Sequence, residues 1–225
     1  MRGRHPFSSR PHATPPREAG WPWVSPSKTQ LRARAKRRRA RLGRPLHGEA
    51  LLPHWPDSLA DLRVAGYYPI QSEFDCRPLL QTLRYAGCPI GLPRMVGPDR
   101  ALVFHGWEPR ERLVEGAYGV REPAREAARF TPDVILVPLL AFDARGGRLG
   151  YGGGFYDRTL AAHPAAFAVG VAFDEQEVED VPVEAHDRPL DAVLTPSGLR
   201  DLGLKELGRS RTSAAHAAAA EVAAA

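Results

Sequence analysis

Six short apolar runs punctuate the middle of the chain, at residues 62–70, 88–93, 101–107, 133–142, 167–173 and 190–196, and several are rich in the branched and aromatic residues favoured in strands. The run DVILVPLLAF at 133–142 has no polar position between Val134 and Leu140, which predicts a strand buried on both faces. Between the first two runs, SEFDCRPLLQTLRYAG reads as a helix: Ser72 and Asp75 make an acid form of the capping box, and Gly87 supplies a C-terminal stop. FYDRTLAAH, from residue 155, suits a second helix leading into the run at 167. Strand, helix, strand therefore occurs twice, over 62–93 and 133–173. Two such units predict a single-domain α/β fold, an open and mostly parallel sheet flanked by helices. Upstream, SPSKTQLRARAKRRRARL predicts a basic helix with Ser25 or Ser27 as its N-cap and Pro26 suited to its first turn, and a weaker helix is expected around Ser58.

Composition narrows the class. At 225 residues, 43% hydrophobic and 25% charged, the chain suits one substantial domain, and no apolar run approaches the roughly 20 residues that a membrane span requires. The net charge of +5 hides a division: the first 44 residues hold 13 Lys and Arg against the single acid Glu18, a net of +12, so the remainder carries −7. The positive charge therefore describes one end and not the folded unit. Prolines at 6, 11, 15, 16, 22 and 26 mark residues 1–26 as a disordered basic extension; no apolar h-region makes it a secretory signal, and its prolines oppose the amphipathic helix of a transit peptide. Residues 206–225 read as an Ala-rich low-complexity tail, which leaves 27–205 as the domain. Cys76 and Cys88 make neither a metal-ligand pair nor a disulfide framework, as expected for a reducing cytoplasmic interior.

The chemistry concentrates in RLGYGGGFYDR, residues 148–158, where Gly150, Gly152, Gly153 and Gly154 run into the predicted helix. Free backbone N–H groups and a positive helix end attract an anion, phosphate above all. A glycine-rich hairpin is the plainer explanation, and Asp143-Ala144-Arg145-Gly146-Gly147 is itself a good turn. Asp157 beside Arg148 and Arg158 favours phosphate, because a carboxylate among phosphate-neutralising bases suits a magnesium ion carried by a nucleotide. The P-loop pattern is absent, since Phe155 and Tyr156 follow Gly154 where Lys and Ser or Thr are required, and the dinucleotide fingerprint lacks its strand context.

The ordered stretch DVILVPLLAFDARGGRLGYGGGFYDRTL resembles the signature of the 5-formyltetrahydrofolate cyclo-ligase family, also called 5,10-methenyltetrahydrofolate synthetases. Lys28-Thr29-Gln30-Leu31-Arg32, YYPIQSEFDCRPLL and VPVEAHDRPLDAVLTP extend the likeness over roughly residues 27 to 200. The resemblance implies an ATP-dependent ligase that forms a C–N bond. ATP would be held by Lys28 and Arg32 together with Arg148, Leu149, Gly150, Tyr151, Gly152, Gly153, Gly154, Phe155 and Tyr156. The folate would meet Tyr68 and Glu73 and share Tyr151, Gly152, Gly153, Gly154 and Phe155 with the nucleotide. Asp157 and Asp187 would hold Mg²⁺. No nucleophilic side chain is implied; Lys28 and Arg148 would stabilise charge while phosphorylation of the formyl oxygen drives ring closure by N10.

Each of these positions also has an ordinary structural explanation. Asp157 suits an ion pair with Arg158, His186-Asp187 suits a polar loop, Glu73 suits the first turn of a helix, and Tyr68 suits the core. Arg37, Arg38, Arg39 and Arg41 read as solvated charge, because only part of a helix faces one ligand. Two departures from the family pattern concern the site: Tyr151 and Gly153 occupy loop positions where relatives often carry Lys or Arg, and residues 43–61 are short and proline-interrupted. A non-catalytic folate- or nucleotide-binding protein of the same fold is the first alternative, opposed by the joint presence of Lys28, Glu73, Asp157 and Asp187. An RNA-associated basic protein is the second, opposed by the lack of aromatics in the arginine stretch. ATP and 5-formyltetrahydrofolate are the expected partners of a monomer that binds no specific nucleic acid and no membrane.

Overall fold

The computed structural model describes residues 27–42, 48–59 and 61–203. The extension expected at residues 1–26, Ser25 and Pro26 as helix-starting residues, and the tail expected at 206–225 lie outside these. Helix α1 spans Lys28–Arg41, and its N-cap is Ser27. Ser27 and Gln30 form a reciprocal capping box, with the Ser27 Oγ accepting from the Gln30 N–H at 3.3 Å and the Gln30 Oε1 accepting from the Ser27 N–H at 3.0 Å. This fixes where the helix begins, and with it which side chains share a face. Around Ser58 the expected helix is two short 3₁₀ segments, Gly48–His54 and Asp57–Leu59, with Pro53 inside the first and Pro56 between them. A proline without an N–H cannot continue the α-helical ladder.

Strand β1 (Val64–Ala65), helix α2 (Arg77–Tyr85) and strand β2 (Ile90–Arg94) form the first predicted unit. Beyond it come β3 (Val103–Gly106), a small hairpin of β4 (Val114–Glu115) and β5 (Arg121–Glu122), β6 (Val134–Pro138), and a second hairpin of β7 (Ala141–Phe142) and β8 (Arg148–Leu149). Helix α3 (Phe155–Ala162), β9 (Phe167–Val171), β10 (Ala192–Thr195) and β11 (Gly198–Asp201) complete the order. Seven strands make one sheet in the order β11-β10-β9-β6-β1-β2-β3. The five inner strands are parallel, with Val134 beside both Val64 and Phe167, while β3 and β11 close the edges antiparallel.

Alternation along the inner strands divides the core. Val64, Ile90, Val134, Leu136 and Val169 face Leu79, Leu80 and Leu83 of α2, whereas Ala65, Ile135, Val137 and Ala168 face Phe104, Phe130 and Leu160. Helices thus cover both faces, as the apolar runs require. Gly91 of β2 lies so close beneath Phe130 that a Cβ there would come within 2.4 Å of the ring.

Three expectations change. The run at 62–70 contributes only two residues to the sheet, after which the chain leaves it at Gly66. The run at 133–142 divides after Pro138, and its end becomes one strand of the β7–β8 hairpin. Helix α2 starts at Arg77, with Pro78 in its first turn, and not at Ser72. Asp75 takes the Arg77 N–H at 3.1 Å and its guanidinium at 2.6 Å, so the acid serves the later start. Pro78 needs no hydrogen bond in a first turn, which places the start there. Gly87, at φ 103°, is the predicted stop.

Candidate functional site

A cleft of about 760 Å³ opens at the carboxyl ends of β1, β2 and β6. Chain order reverses there, since β2 lies on one side of β1 and β6 on the other, and crevices at such a point are where open α/β sheets bind ligands. Lys28, Arg32, Tyr68, Glu73, the whole stretch from Arg148 to Asp157, and Asp187 all line this one cleft. The sequence had scattered these residues over five segments.

The first wall is α1. Leu31 and Ala35 pack against Ala141, Leu149 and Val181, which seats the helix on the β7–β8 hairpin and turns Lys28 and Arg32, four apart, toward the cleft. Lys28 Nζ lies 2.7 Å from Asp187 Oδ2 and 3.1 Å from Glu184 Oε1. Burial alone would raise the Asp187 carboxyl, but hydrogen bonds from Lys28 and from the Glu184 N–H hold it below the ordinary range; Lys28, despite burial, is held above its own by both acids.

The second wall is the glycine loop, which emerges from β8 and caps α3. The turn expected at Asp143 to Gly147 is indeed a hairpin, with the buried Asp143 accepting from the N–H groups of Arg145, Gly147 and Val181, but it is separate from the glycines that line the cleft. Gly152 and Gly154 adopt φ of 100° and 65°, conformations that residues with a Cβ rarely adopt. A Cβ on Gly152 would sit 3.2 Å from the Arg32 guanidinium carbon, and Arg32 Nε donates to the Gly150 carbonyl at 3.1 Å. Gly154 caps α3 with no side-chain hydrogen bond. Arg148 pairs with Asp157, whose Oδ1 also accepts the Arg188 N–H at 3.2 Å. Arg158, the expected ion-pair partner of Asp157, instead donates to the carbonyls of Gly153 and Pro98. The Arg148 Nε is buried and has no hydrogen-bond partner among the described residues.

The third wall follows β1. Glu73 is 8% exposed and accepts from the Ile70 N–H at 2.9 Å. Burial pushes its carboxyl up to about 7, against the opposing pull of that N–H and of Arg39. Because α2 begins only at Arg77, Glu73 is not the first-turn acid that its sequence position suggested. Tyr68 is half-buried, its hydroxyl accepting from Arg77 at 3.0 Å and its ring 4.8 Å below that guanidinium.

One expectation on α1 is overturned. Arg37, Arg38 and Arg41 are exposed as expected, but Arg39 is buried, and it bonds Tyr151, Ser72 and Leu139. The spacing 28, 32, 39 puts it on the same side of the helix as Lys28 and Arg32, about two turns beyond Arg32, a periodicity hidden by the surrounding arginines. Also missed were Met95, Leu102, Tyr118, Val120 and Glu122, which line the cleft from the β2–β3 connection and the β4–β5 hairpin. A charged and largely exposed hairpin carries no periodic apolar signal from which to find it.

Among the described residues, no group of three or more His, Cys, Asp and Glu is arranged for a metal ion, and no helix is long and apolar enough to cross a membrane.

Comparison with known proteins identifies the family and the fold. A family profile described as the 5-formyltetrahydrofolate cyclo-ligase family matches residues 24–196. Among curated relatives, the 5-formyltetrahydrofolate cyclo-ligase of Escherichia coli K12 is 42% identical over 142 residues, covering 60% of this chain and 78% of that protein. The cyclo-ligase of Mycolicibacterium smegmatis is 38% identical over 187 residues, covering 76% and 94%. Among solved structures, the 5,10-methenyltetrahydrofolate synthetase of Aquifex aeolicus superposes with a TM-score of 0.69 at 32% identity, over 80% of this chain and 94% of that one. A profile match across most of the described fold, joined to relatives of this similarity, means that the chain belongs to the 5-formyltetrahydrofolate cyclo-ligase family.

Proposed function

We propose that the cleft binds ATP and 5-formyltetrahydrofolate side by side and converts them to 5,10-methenyltetrahydrofolate, ADP and phosphate. The observation that supports this reading is one cleft lined by cationic side chains and a glycine loop on one side and a buried carboxylate on the other. Lys28 and Arg32 present two cations from one helix face, and the unpartnered Arg148 Nε and the uncapped start of α3 offer donors to phosphate oxygens. Leu149, Gly150, Phe155 and Tyr156 complete the nucleotide side. Tyr68 and Glu73 take the pterin side, with ionised Glu73 accepting hydrogen bonds from pterin N–H groups, and Tyr151 to Phe155 form the floor that both ligands share.

In the reaction, the formyl oxygen attacks the γ-phosphorus and ADP leaves. N10 then adds to the activated formyl carbon and loses its proton, and the C–O bond breaks to release phosphate. The chain's own residues align the two ligands and neutralise charge, and no covalent intermediate on the protein is required.

Asp157 and Asp187 fit a magnesium ion that arrives with the phosphates. Magnesium typically takes one or two carboxylates and completes its shell with phosphate oxygens and water, so two hard oxygen donors suffice without a dedicated protein cage. Bound there, the ion would neutralise charge on the β- and γ-phosphates. Arg148 and Lys28, which now pair with these carboxylates, would turn to phosphate. We read residues 27–205 as the catalytic unit, acting as a monomer without specific nucleic acid. Cys76 and Cys88, both buried as thiols, suit the cytoplasm.

Purified protein with Mg²⁺, ATP and 5-formyltetrahydrofolate should produce methenyl absorbance and ADP in equal amounts. Absence of ATP-dependent product would overturn the assignment.

A further inference from the structure

We propose that Arg39 is a positioning residue whose buried guanidinium locks the nucleotide and folate sides of the cleft into one geometry. The inference rests on the two-substrate reading above. Arg39 is 1% exposed, and its Nε donates to Ser72 Oγ at 3.1 Å, its Nη1 to the Leu139 carbonyl at 2.8 Å, and its Nη2 to the Tyr151 hydroxyl. Those partners lie on three separate pieces of the site. Tyr151 is in the shared glycine loop, Ser72 adjoins Glu73, and Leu139 follows the carboxyl end of β6. Arg39 itself sits on the helix that presents Lys28 and Arg32.

Burying a cation is expensive, and an apolar side chain would fill the same space at lower cost. The planar fork of a guanidinium offers what neither an apolar side chain nor an ammonium does, several donors at fixed angles to different partners. Arg39 is absent from the cleft lining, so it acts through Tyr151 and Ser72 and does not touch substrate. After burial and the Ile70 N–H, Arg39 is a further influence on Glu73 among the described residues, favouring its ionised form, and Glu73 in turn raises the hydroxyls of Tyr67, Tyr151 and Tyr156 and the thiol of Cys76.

The test measures binding of ATP and of 5-formyltetrahydrofolate separately, by calorimetry, to wild type, Arg39→Met, Tyr151→Phe and the double variant, with thermal unfolding alongside. Arg39→Met should weaken both ligands by about tenfold. The double variant should bind no more than about twofold more weakly than Arg39→Met alone, because the two side chains act as a unit. The acid-side midpoint of folate binding should move to higher pH in Arg39→Met, and Arg39→Lys should restore that midpoint without restoring affinity. Unchanged binding in Arg39→Met, weakening of one ligand only, multiplying effects in the double variant, or an unmoved midpoint would each overturn the proposal. If Arg39→Met does not fold, the pair Ser72→Ala and Tyr151→Phe removes two of the three bonds from the outer side; wild-type affinity in that pair is equally fatal. A wild type that binds both ligands without turning over would refute the catalytic reading while leaving Arg39 to this test.

Discussion

The two ends of the cleft handle charge in opposite ways. Where α1 meets the loop at 181–188, acids and bases neutralise one another: Lys28 holds Asp187 and Glu184, and Arg148 holds Asp157. Where the chain leaves β1, Glu73 has the Ile70 N–H as its hydrogen-bond partner and is nearly removed from water. The consequence appears in the carboxyls, with Asp187 held low by its cation and Glu73 pushed up to about 7 by burial. The paired charges satisfy one another in place, with Arg148 nearly buried, whereas a buried acid with one N–H partner is sensitive to pH.

The contrast is broken most severely at Asp157. Asp157→Asn removes the carboxylate proposed for the metal and the partner of the nearly buried Arg148, and turnover at saturating substrate should fall by about 10²-fold or more while far-UV circular dichroism shows the fold retained. Wild-type turnover would remove Asp157 from the nucleotide end. At the same end, Lys28→Ala should raise the KM for ATP by about tenfold and leave the KM for the folate within about twofold. Equal increases in both would show that Lys28 does not belong to one end.

Glu73→Gln sharpens the other side through stability. The folded carboxyl titrates near 7 against an ordinary 4.5, so its favourable contribution is complete below about pH 4.5 and is lost as pH rises through about 7. Relative to wild type, Glu73→Gln should therefore gain about 2 kcal/mol between pH 5 and pH 8, read from denaturant midpoints. A difference independent of pH would place Glu73 in contact with water or with a bonded cation. Asp187 has the opposite sign, supplying stability at neutral pH that is lost as pH falls through its lowered value. The smallest effect belongs to the exposed face of α1, where Arg38→Ala should change stability by no more than about 0.5 kcal/mol and ATP affinity not at all. A marked loss of affinity would extend the nucleotide end around the helix.

Much of the fold was legible because its signals are local. Continuous apolar runs announced the parallel strands, Gly87 announced the end of α2, and the start of α1 was narrowed to Ser25 or Ser27, with the structure choosing Ser27 through its pairing with Gln30. The start of α2 was misjudged because Ser72 has the chemistry of a cap, while Pro78, which decides the matter, acts through a hydrogen bond it cannot make. Likewise Arg39 is indistinguishable from its neighbours in sequence, since whether an arginine is solvated or buried depends on what packs over it.

By itself the sequence determined the class of fold, the glycine loop and the charged and aromatic residues available to a site, because backbone preference and side-chain chemistry belong to each residue wherever it lies. Tertiary structure alone decided that Lys28 meets Asp187 across 159 positions, that Arg148 and not Arg158 takes Asp157, and that Arg39 turns inward to Tyr151. Those choices are made by packing and by the desolvation that packing imposes, and both depend on residues brought together only when the sheet closes its order around β1.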